Sequence, residues 1–509
     1  MRRPTGPFDI ATWCLFRHLP AAADRTALIV VDPAERLRTW TFGELALAVR
    51  RHAAVWGKLG LRPGARVLVR LPTSGQAVIT LFAAFAAGLV PTSCSPMLTR
   101  REIGAIALLT DAGLLVQDDD PPGADDGPLR IRTVSSAELA TLAAGADPAP
   151  APTTQAEDPA FLIFTSGTSG RPKGVLHAHR TVLGRRPMRP GWQGFGPSDR
   201  VLHAGQLNWT YTLGVGLMDP WAAGATAILA SSDVPPESWP ARLAELGVTV
   251  FAAVPTVYRR LLKYGDPASL GHGPLRHGLA AGEPLAIDVQ DDWRRATGRP
   301  LFESLGMSEI STYVSSGPVT PIRPGSPGRA QPGRRIAILP ETGPPVPLPP
   351  GEPGLLAVHR SDPGLMLGYW QDPEATAAAM RGSWFAGGDH ATIDHEGYVH
   401  FRGRGDDVLN CQGYRVSAHE VEQALRDHPE VGEVAVAADV RADGVEILTA
   451  FVVPARPQHD PASLLAFARE RLATYKCPRR VTYLDALPRT AKGKLIRSRL
   501  GQRPDRPGT

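Results

Sequence analysis

A ten-residue stretch rich in hydroxyl and glycine residues is the part of the chain best suited to chemistry. Residues 165–174 read TSGTSGRPKG and directly follow the apolar run at 161–164. Backbone N–H groups, hydroxyl donors and one lysine together form a cradle for phosphate groups. A P-loop would need G-x-x-x-x-G-K-[ST] opening a helix, whereas here Lys173 precedes Gly174 and an extended segment follows. We predict a mobile loop between two strands that closes on a nucleotide, although the stretch alone fits an unliganded turn equally well.

Further short motifs follow this loop along the chain. They are Ala281-Gly-Glu-Pro284, Glu303-Ser-Leu-Gly-Met-Ser-Glu309, Gly387-Gly-Asp389, Gly403-Arg-Gly-Asp-Asp407 and Pro488-Arg-Thr-Ala-Lys-Gly-Lys494. With the loop, this ordered set resembles the adenylate-forming superfamily of acyl- and aryl-CoA synthetases, peptide-synthetase adenylation domains and luciferases. The chain is most similar to a bacterial benzoate-type or short/medium-chain acyl-CoA ligase, and the resemblance covers essentially its full length.

The resemblance implies an enzyme that uses ATP, Mg²⁺ and coenzyme A. A carboxylate would attack the α-phosphorus of ATP, pyrophosphate would leave, and a thiol would then take the acyl group. Negative charge accumulates in the first step, so cations and preorganised donors matter most. The motifs make Lys494 the catalytic cation and Lys492 a solvated neighbour, with Glu309 as the Mg²⁺ ligand and Thr168 as a further catalytic residue.

The resemblance also implies a set of nucleotide-binding residues. Asp389 would accept hydrogen bonds from both ribose hydroxyls, and Arg404 would hold ribose or phosphate with its fork of donors. The full ATP/AMP set is Thr165, Ser166, Gly167, Thr168, Ser169, Gly170, Lys173, Gly282, Glu283, Pro284, Ser304, Leu305, Gly306, Met307, Ser308, Asp389 and Arg404.

Three positions depart from the family pattern. Leu305 stands where most members have an aromatic residue over adenine, Ser308 replaces a threonine, and Asn410 replaces a lysine after the hinge. An aliphatic side chain still covers a purine face through dispersion, so we expect a retained but weaker nucleotide site. An aliphatic residue at this place is similar to the benzoate-type ligases.

The second step is implied to need a moving domain. Asp406 occupies the hinge place, about which the small domain swings after adenylation. Gly413, Tyr414 and Arg415 resemble the turn and strand that line the pantetheine tunnel of CoA. The acceptor is CoA or an acyl carrier protein, because both present the same thiol arm. A non-catalytic nucleotide-binding relative stays open as a further alternative.

The segment at 203–211 bears on which carboxylic acid is the substrate. In peptide-synthetase adenylation domains, we would expect an aspartate in this segment to pair with the α-amine of the substrate. The segment contains no acidic residue, and the next one along the chain is Asp219, so a free amino acid is disfavoured as substrate. Large aromatic residues favour a benzoate-sized or short-to-medium aliphatic acid, with a slight preference for the aryl class. Trp209 could instead pack the core. The predicted pocket comprises Trp209, Tyr211, Gly282, Met307 and Ser308, with Thr312 or Tyr313 at the wall.

The elements that position these residues follow an α/β pattern. The chain has 509 residues, 43% hydrophobic and 21% charged, which is ordinary for a globular protein of two or more domains. Strand-like segments at 67–71 and 113–116 alternate with a helix-like segment at 77–87. We predict a large multi-subdomain N-terminal domain at 1–405, with mixed sheets and helices. A small mobile α+β domain at 406–509 follows, with a disordered tail at 501–509.

Composition excludes several classes of protein. The apolar run at 77–90 is too short for a membrane span. Pro4, Pro7 and Asp9 interrupt any apolar segment of the signal type, so we expect no signal segment. Cys14, Cys94, Cys411 and Cys477 lack metal-ligand spacing, so reduced thiols in the cytoplasm are expected. The net charge is only +5, and the basic segment at 469–506 suits CoA phosphates or an acidic carrier better than nucleic acid. We expect a monomer or homodimer.

Overall fold

The fold is taken from a computed structural model. It describes residues 4, 6–31, 37–120, 129–150, 153–165, 173–230, 234–283, 285–404, 408–411, 414–440, 446–455, 460–488, 495 and 497–500.

Two of the described helices begin with a capping box. Thr41 and Glu44 form a reciprocal capping box, as do Thr99 and Glu102, which satisfies backbone donors at each helix start. The helices are α1 Ile10–Cys14, α2 Phe42–Val55, α3 Gly75–Ala86, α4 Arg100–Thr110, α5 Ser136–Ala144, α6 Thr181–Gly184, α7 Asp219–Ala223, α8 Trp239–Glu245, α9 Pro255–Tyr264, α10 Ile287–Thr297, α11 Pro373–Ala379, α12 Ala418–Arg426 and α13 Pro461–Arg471.

The strands are short and mostly apolar, as burial on both faces requires. They are β1 Thr26–Val31, β2 Leu37–Thr41, β3 Arg66–Arg70, β4 Val90–Ser93, β5 Leu114–Gln117, β6 Thr133–Val134, β7 Pro159–Thr165, β8 Lys173–Ala178, β9 Arg200–His203, β10 Thr226–Ala230, β11 Val250–Ala253, β12 His277–Ala281, β13 Leu301–Met307, β14 Ser311–Ser315, β15 Gly328–Ala330, β16 Ile336–Leu339, β17 Gly354–His359, β18 Gly368–Tyr369, β19 Met380–Arg381, β20 Trp384–Ile393, β21 Tyr398–Arg404, β22 Val408–Cys411, β23 Tyr414–Ser417, β24 Val431–Val440, β25 Glu446–Pro454 and β26 Arg480–Tyr483.

Two large sheets form the part before residue 405. The first runs β16-β17-β20-β21-β15-β14-β13-β12-β11-β9-β10-β1-β2, with β19 on β20, and the second runs β18-β8-β7-β4-β3-β5-β6. Parallel pairing from β13 through β12, β11, β9 and β10 to β1 forms the centre of the first sheet. A core that includes Phe42, Phe82 and Trp221 packs α2, α3 and α7 together, with the rings of Phe82 and Trp221 4.7 Å apart.

The part after residue 407 has its own core. β22 pairs with β23, and β24, β25 and β26 form a three-stranded sheet against which α12 packs. Val421, Val436, Val452 and Leu464 are buried together there. This α+β unit beside a large α/β part confirms the predicted fold class. The predicted hinge at Asp406 and tail at 501–509 lie outside the described residues, so the boundary at 405/406 stays a prediction.

Local predictions agree with these elements. The predicted strands at 67–71 and 113–116 correspond to β3 and β5, and the predicted helix at 77–87 corresponds to α3. Helix α3 is therefore a buried core element, and among the described helices none is long and apolar enough to cross a membrane. All four cysteines are buried and unpaired.

Candidate functional site

The hydroxyl-rich stretch joins two antiparallel strands. β7 and β8 form a hairpin in which Thr165 is opposite Lys173. The connection is thus between strands, as predicted, and no helix begins at Lys173. Ser166, Gly167, Thr168, Ser169 and Gly170 lie outside the described residues, and their phosphate contacts remain predictions.

Glu309 and Lys173 meet around one tyrosine. The Tyr369 hydroxyl donates to Glu309 Oε1 at 2.8 Å, and Lys173 Nζ lies 5.1 Å from the centre of the Tyr369 ring. Tyr369 reaches this place because β18 pairs with β8. Glu309 is 8% exposed, so a hydrogen bond to its carboxylate compensates for lost solvation. Tyr369 was not among the predicted site residues, because its only sequence signal is a Gly-Tyr pair far from both motifs.

The adenine motif lies at the end of β12. Gly282 adopts φ +93°, which favours glycine, and Glu283 Oε2 accepts hydrogen bonds from the backbone N–H and the hydroxyl of Thr256. Leu285 N–H donates to Glu303 Oε1 at 3.1 Å. Burial raises the pKa of Glu303 to about 7. Through its hydrogen bond with Leu285, Glu303 connects this segment to β13. Its place in the motif did not predict this role.

Some residues of the motif on β13 contact the sheet, whereas others line the cavity. Ser304 is buried, and its hydroxyl donates to Val314 O at 2.7 Å. Leu305 is half-buried and Gly306 is exposed, while Met307 and Ser308 line the cavity described below. The backbone of this motif therefore borders the cavity, whereas the Ser304 hydroxyl serves the sheet.

The ribose motif lies on an antiparallel pair of strands. Asp389 on β20 is opposite Arg404 on β21, so the two predicted ribose contacts are neighbours in the sheet. Asp389 is buried, and Gly387 lies close to Met307, since a Cβ at that glycine would be 2.6 Å from Met307 Sδ. The ribose motif and the predicted acyl pocket are thus in direct contact.

A cavity of about 440 Å³ connects the two parts of the molecule. Its inner end is lined by predicted pocket residues, and the wall includes Thr312, whereas Tyr313 is fully buried in the core. Its outer end lies between α4, α12 and α13. The lining residues include Trp209, Tyr211, Gly282, Gly306, Met307, Ser308 and Thr312 at one end and Tyr414, Glu420, Arg471, Tyr475 and Lys476 at the other.

Aromatic side chains cross from one part to the other inside this cavity. The Trp209 ring lies edge-on to Tyr414 at 4.8 Å, and Tyr414 stacks on Tyr475 at 4.2 Å. Trp209 is partly exposed to the cavity, so it does not merely pack the core. Tyr211 is anchored by a hydrogen bond from its hydroxyl to Leu279 O at 3.0 Å.

Asp219 does not face the cavity as an amine-binding group. Both of its oxygens accept from Arg185, at 2.7 Å each, and Gln193 donates to it as well. Because these partners occupy the carboxylate in the core, it is unsuited to an α-amine. The expectation that free amino acids are disfavoured agrees with this arrangement.

For several predicted site residues, the structure describes either nothing or only the backbone. Pro284, Asp406, Gly413 and Lys494 lie outside the described residues. The backbones of Arg404 and Arg415 belong to β21 and β23. Their proposed contacts with the nucleotide and CoA therefore rest on the sequence motifs.

Comparisons with known proteins agree with this geometry. The sequence profile of AMP-binding enzymes matches residues 15–370, and that of the AMP-binding enzyme C-terminal domain matches residues 420–494. The 3-hydroxybenzoate–CoA ligase of Aromatoleum sp. (strain CIB) is 31% identical over 486 residues, covering 91% of each chain.

Two solved structures resemble this chain to different degrees. A double mutant of o-succinylbenzoate CoA synthetase from Bacillus subtilis, bound to a product analogue, superposes with TM-score 0.84 at 26% identity, covering 97% of this chain and 98% of that one. ATP-bound MatB from Rhodopseudomonas palustris gives TM-score 0.70 at 29% identity, covering 97% and 99%. The higher structural similarity accompanies the lower sequence identity.

Proposed function

The chain belongs to the AMP-binding enzyme family, and we propose that its cavity activates a benzoate-sized aryl acid at one end and admits a thiol from the other. The enzyme is an AMP-forming acid–thiol ligase that uses ATP, Mg²⁺ and CoA, and it passes through an acyl-adenylate. The observation that carries the proposal is the single cavity running from Met307 and Ser308 to Tyr414.

At the nucleotide site, we assign Asp389 and Arg404 to the ribose, the 281–284 segment and Leu305 to adenine, and the loop from Thr165 to Lys173 to the leaving phosphates. Lys494 would supply positive charge where the carboxylate attacks the α-phosphorus. Such groups act by stabilising charge that develops in the transition state.

Glu309 fits the ligand needs of Mg²⁺. This cation prefers one or two carboxylates, with phosphate oxygens and water completing its shell. Among the described residues, no group of three or more His, Cys, Asp or Glu side chains could hold a metal by itself. Glu309 is buried and oriented by Tyr369, as expected for a carboxylate that shares a metal with a substrate. Mg²⁺ when bound would neutralise charge on the phosphate oxygens.

The acid end suits a flat ring. Trp209, Tyr211 and Met307 supply apolar walls, while Ser308 and Thr312 supply hydroxyls. Large aromatic walls shorten such a pocket and favour a small ring over a long chain. The aryl substrate named for the 3-hydroxybenzoate–CoA ligase relative supports this choice.

The thiol would enter from the outer end. Arg101 and Arg471 lie at the cavity lining there and suit the phosphates of CoA, with Tyr414, Gly413 and Arg415 along the pantetheine arm. The higher TM-score against the structure with a CoA product analogue supports a domain arrangement ready for thioester formation. We further propose a cytoplasmic monomer or homodimer, in keeping with four buried free thiols.

The experiment is pyrophosphate release with ATP and Mg²⁺ across benzoates, hydroxybenzoates, short and medium fatty acids and amino acids, each with and without CoA. We expect release with benzoate-sized aryl acids and an aroyl-CoA product. Preference for a fatty acid would overturn the aryl assignment. Release that stalls at the adenylate with CoA present, but proceeds with a phosphopantetheinylated carrier, would replace CoA by a carrier as acceptor.

A further inference from the structure

A buried lysine joins the two parts of the molecule beside the cavity. Lys476 Nζ lies 2.8 Å from Glu102 Oε1 and 2.6 Å from Glu420 Oε1. Glu102 belongs to α4 of the large part, whereas Glu420 and Lys476 belong to the small part. The side chains of all three are at most 14% exposed. One ammonium group is thus shared between carboxylates of both parts.

Each of the two carboxylates belongs to the first turn of a helix. Glu102 Oε2 accepts hydrogen bonds from the N–H and hydroxyl of Thr99, both at 2.9 Å, which leaves Oε1 directed at Lys476. Glu420 lies in the first turn of α12, behind the cap residue Ser417. Both carboxylates therefore sit at helix N-termini, where negative charge is favoured.

The lysine stays charged throughout the physiological range. Burial alone would lower its pKa, but Tyr475, Glu420 and Glu102 together raise the pKa of Lys476 above its usual value. An uncompensated buried charge is strongly destabilising. If the small part rotated away, Lys476 could keep Glu420 but would lose Glu102.

We propose that Glu102 and Lys476 form an interdomain clasp, a positioning pair that favours the domain arrangement in which the thiol attacks the acyl-adenylate. The inference rests on the proposed two-step function. Neither residue belongs to the motifs assigned to ATP or the acid, so the clasp would act on the second step by holding Tyr414 against Trp209 and keeping the cavity continuous.

The variant Glu102→Gln tests this because glutamine preserves the capping box while it removes the charge. Its matched control is Glu44→Gln, in the same type of capping box on α2, where no interdomain ion pair is described. Pyrophosphate release without CoA reports the first step. Rapid-quench reaction of preformed acyl-adenylate with CoA reports the second.

We expect Glu102→Gln and Lys476→Met to slow the second step about tenfold, within the range for coupled charged pairs, and to leave the first step within about twofold. The double variant should be no slower than Lys476→Met alone, since Lys476→Met already removes the ion pair with Glu102. Glu44→Gln should change neither step. Equal slowing of both steps by Glu102→Gln, or an unchanged second step, would overturn the clasp.

A structural readout keeps this test separate from the proposed function. A fluorophore pair on α2 and α13 would report the distance between the two parts in the presence of CoA and a non-hydrolysable adenylate analogue. We expect Glu102→Gln to lower the fraction in the present arrangement and Glu44→Gln to leave it unchanged. If wild-type protein released no pyrophosphate with any acid, the proposed function would fail, yet this distance would still decide the clasp.

Discussion

The nucleotide site and the junction inside the cavity are built in different ways. At the nucleotide site, Glu309 follows β13 of the first sheet and Tyr369 lies on β18 of the second, and both precede residue 405. At the junction between the acid end and the thiol end of the cavity, Trp209 of the large part contacts Tyr414 of the small part. The described groups of the nucleotide site therefore come from one folded unit, whereas the junction exists only while the two parts are in contact. Substitutions at the nucleotide site should change chemistry, and those at the junction should also change domain placement.

The largest effect should come from Glu309→Gln. Removing the carboxylate charge should lower pyrophosphate release by about 100-fold to 1,000-fold, as loss of a transition-state contact does. The measurement is release during a Mg²⁺ titration. Reaction of preformed adenylate with CoA should be little affected, and a comparable loss there would erase the difference between the nucleotide site and the junction.

A smaller loss should follow Tyr369→Phe. The phenol orients Glu309, and loss of such a supporting hydrogen bond typically costs 10-fold to 100-fold in metal affinity or activity. We expect about a tenfold higher Mg²⁺ requirement in pyrophosphate release, with saturating Mg²⁺ restoring most of the rate. A rate defect that Mg²⁺ does not relieve would assign Tyr369 to Lys173 or the phosphates instead.

Trp209→Ala tests the junction between the acid end and the thiol end of the cavity. Removing the indole enlarges the proposed acid pocket and removes the ring contact with Tyr414. The kcat/KM ratio of bulkier acids to benzoate should therefore rise by about tenfold. Trp209→Phe serves as the graded control and should shift the ratio less. An unchanged substrate profile in both variants would remove Trp209 from the acid pocket.

The smallest effect concerns stability rather than rate. Because the folded pKa of Glu303 is raised from 4.5 to about 7, its contribution to stability is present below pH 4.5 and is lost as pH rises to about 7. Relative to Glu303→Gln, the wild-type protein should lose on the order of 1 kcal/mol over this window, since the carboxyl is partly exposed. Urea unfolding of both proteins at pH 5 and pH 8 measures it, and a pH-independent difference would contradict it.

The sequence predicted more of the residues proposed for the nucleotide site than of those around the thiol end of the cavity. Short motifs predicted roles for Glu309 and Asp389, which stay predictions. The strand on either side of the phosphate loop followed from one apolar run and the order of Lys173 and Gly174, and it is confirmed by the pairing of β7 with β8. A motif is a short run of consecutive residues, so it predicts roles that depend on neighbours in the sequence.

Contacts between distant segments had no such signal. Tyr369 reaches Glu309 through the pairing of β18 with β8, and Lys476 reaches Glu102 across 374 positions of the chain. Glu303 was visible in its motif, but its hydrogen bond with Leu285 N–H depends on tertiary packing against β13. These roles depend on tertiary packing, which residue type and spacing do not specify.

Gly306 limits how this enzyme can acquire new substrates. A Cβ there would lie 2.6 Å from Ser311 O and 2.7 Å from Thr312 Cα, so the strand is pressed against backbone, which cannot give way as a side chain can. Selection or engineering therefore has little freedom along that wall of the cavity. On our proposal, changes in acid preference arise instead at side-chain walls such as Trp209, whose ring also contacts Tyr414 of the small part. One substitution there would then change the shape of the acid pocket and the contact between the two parts together.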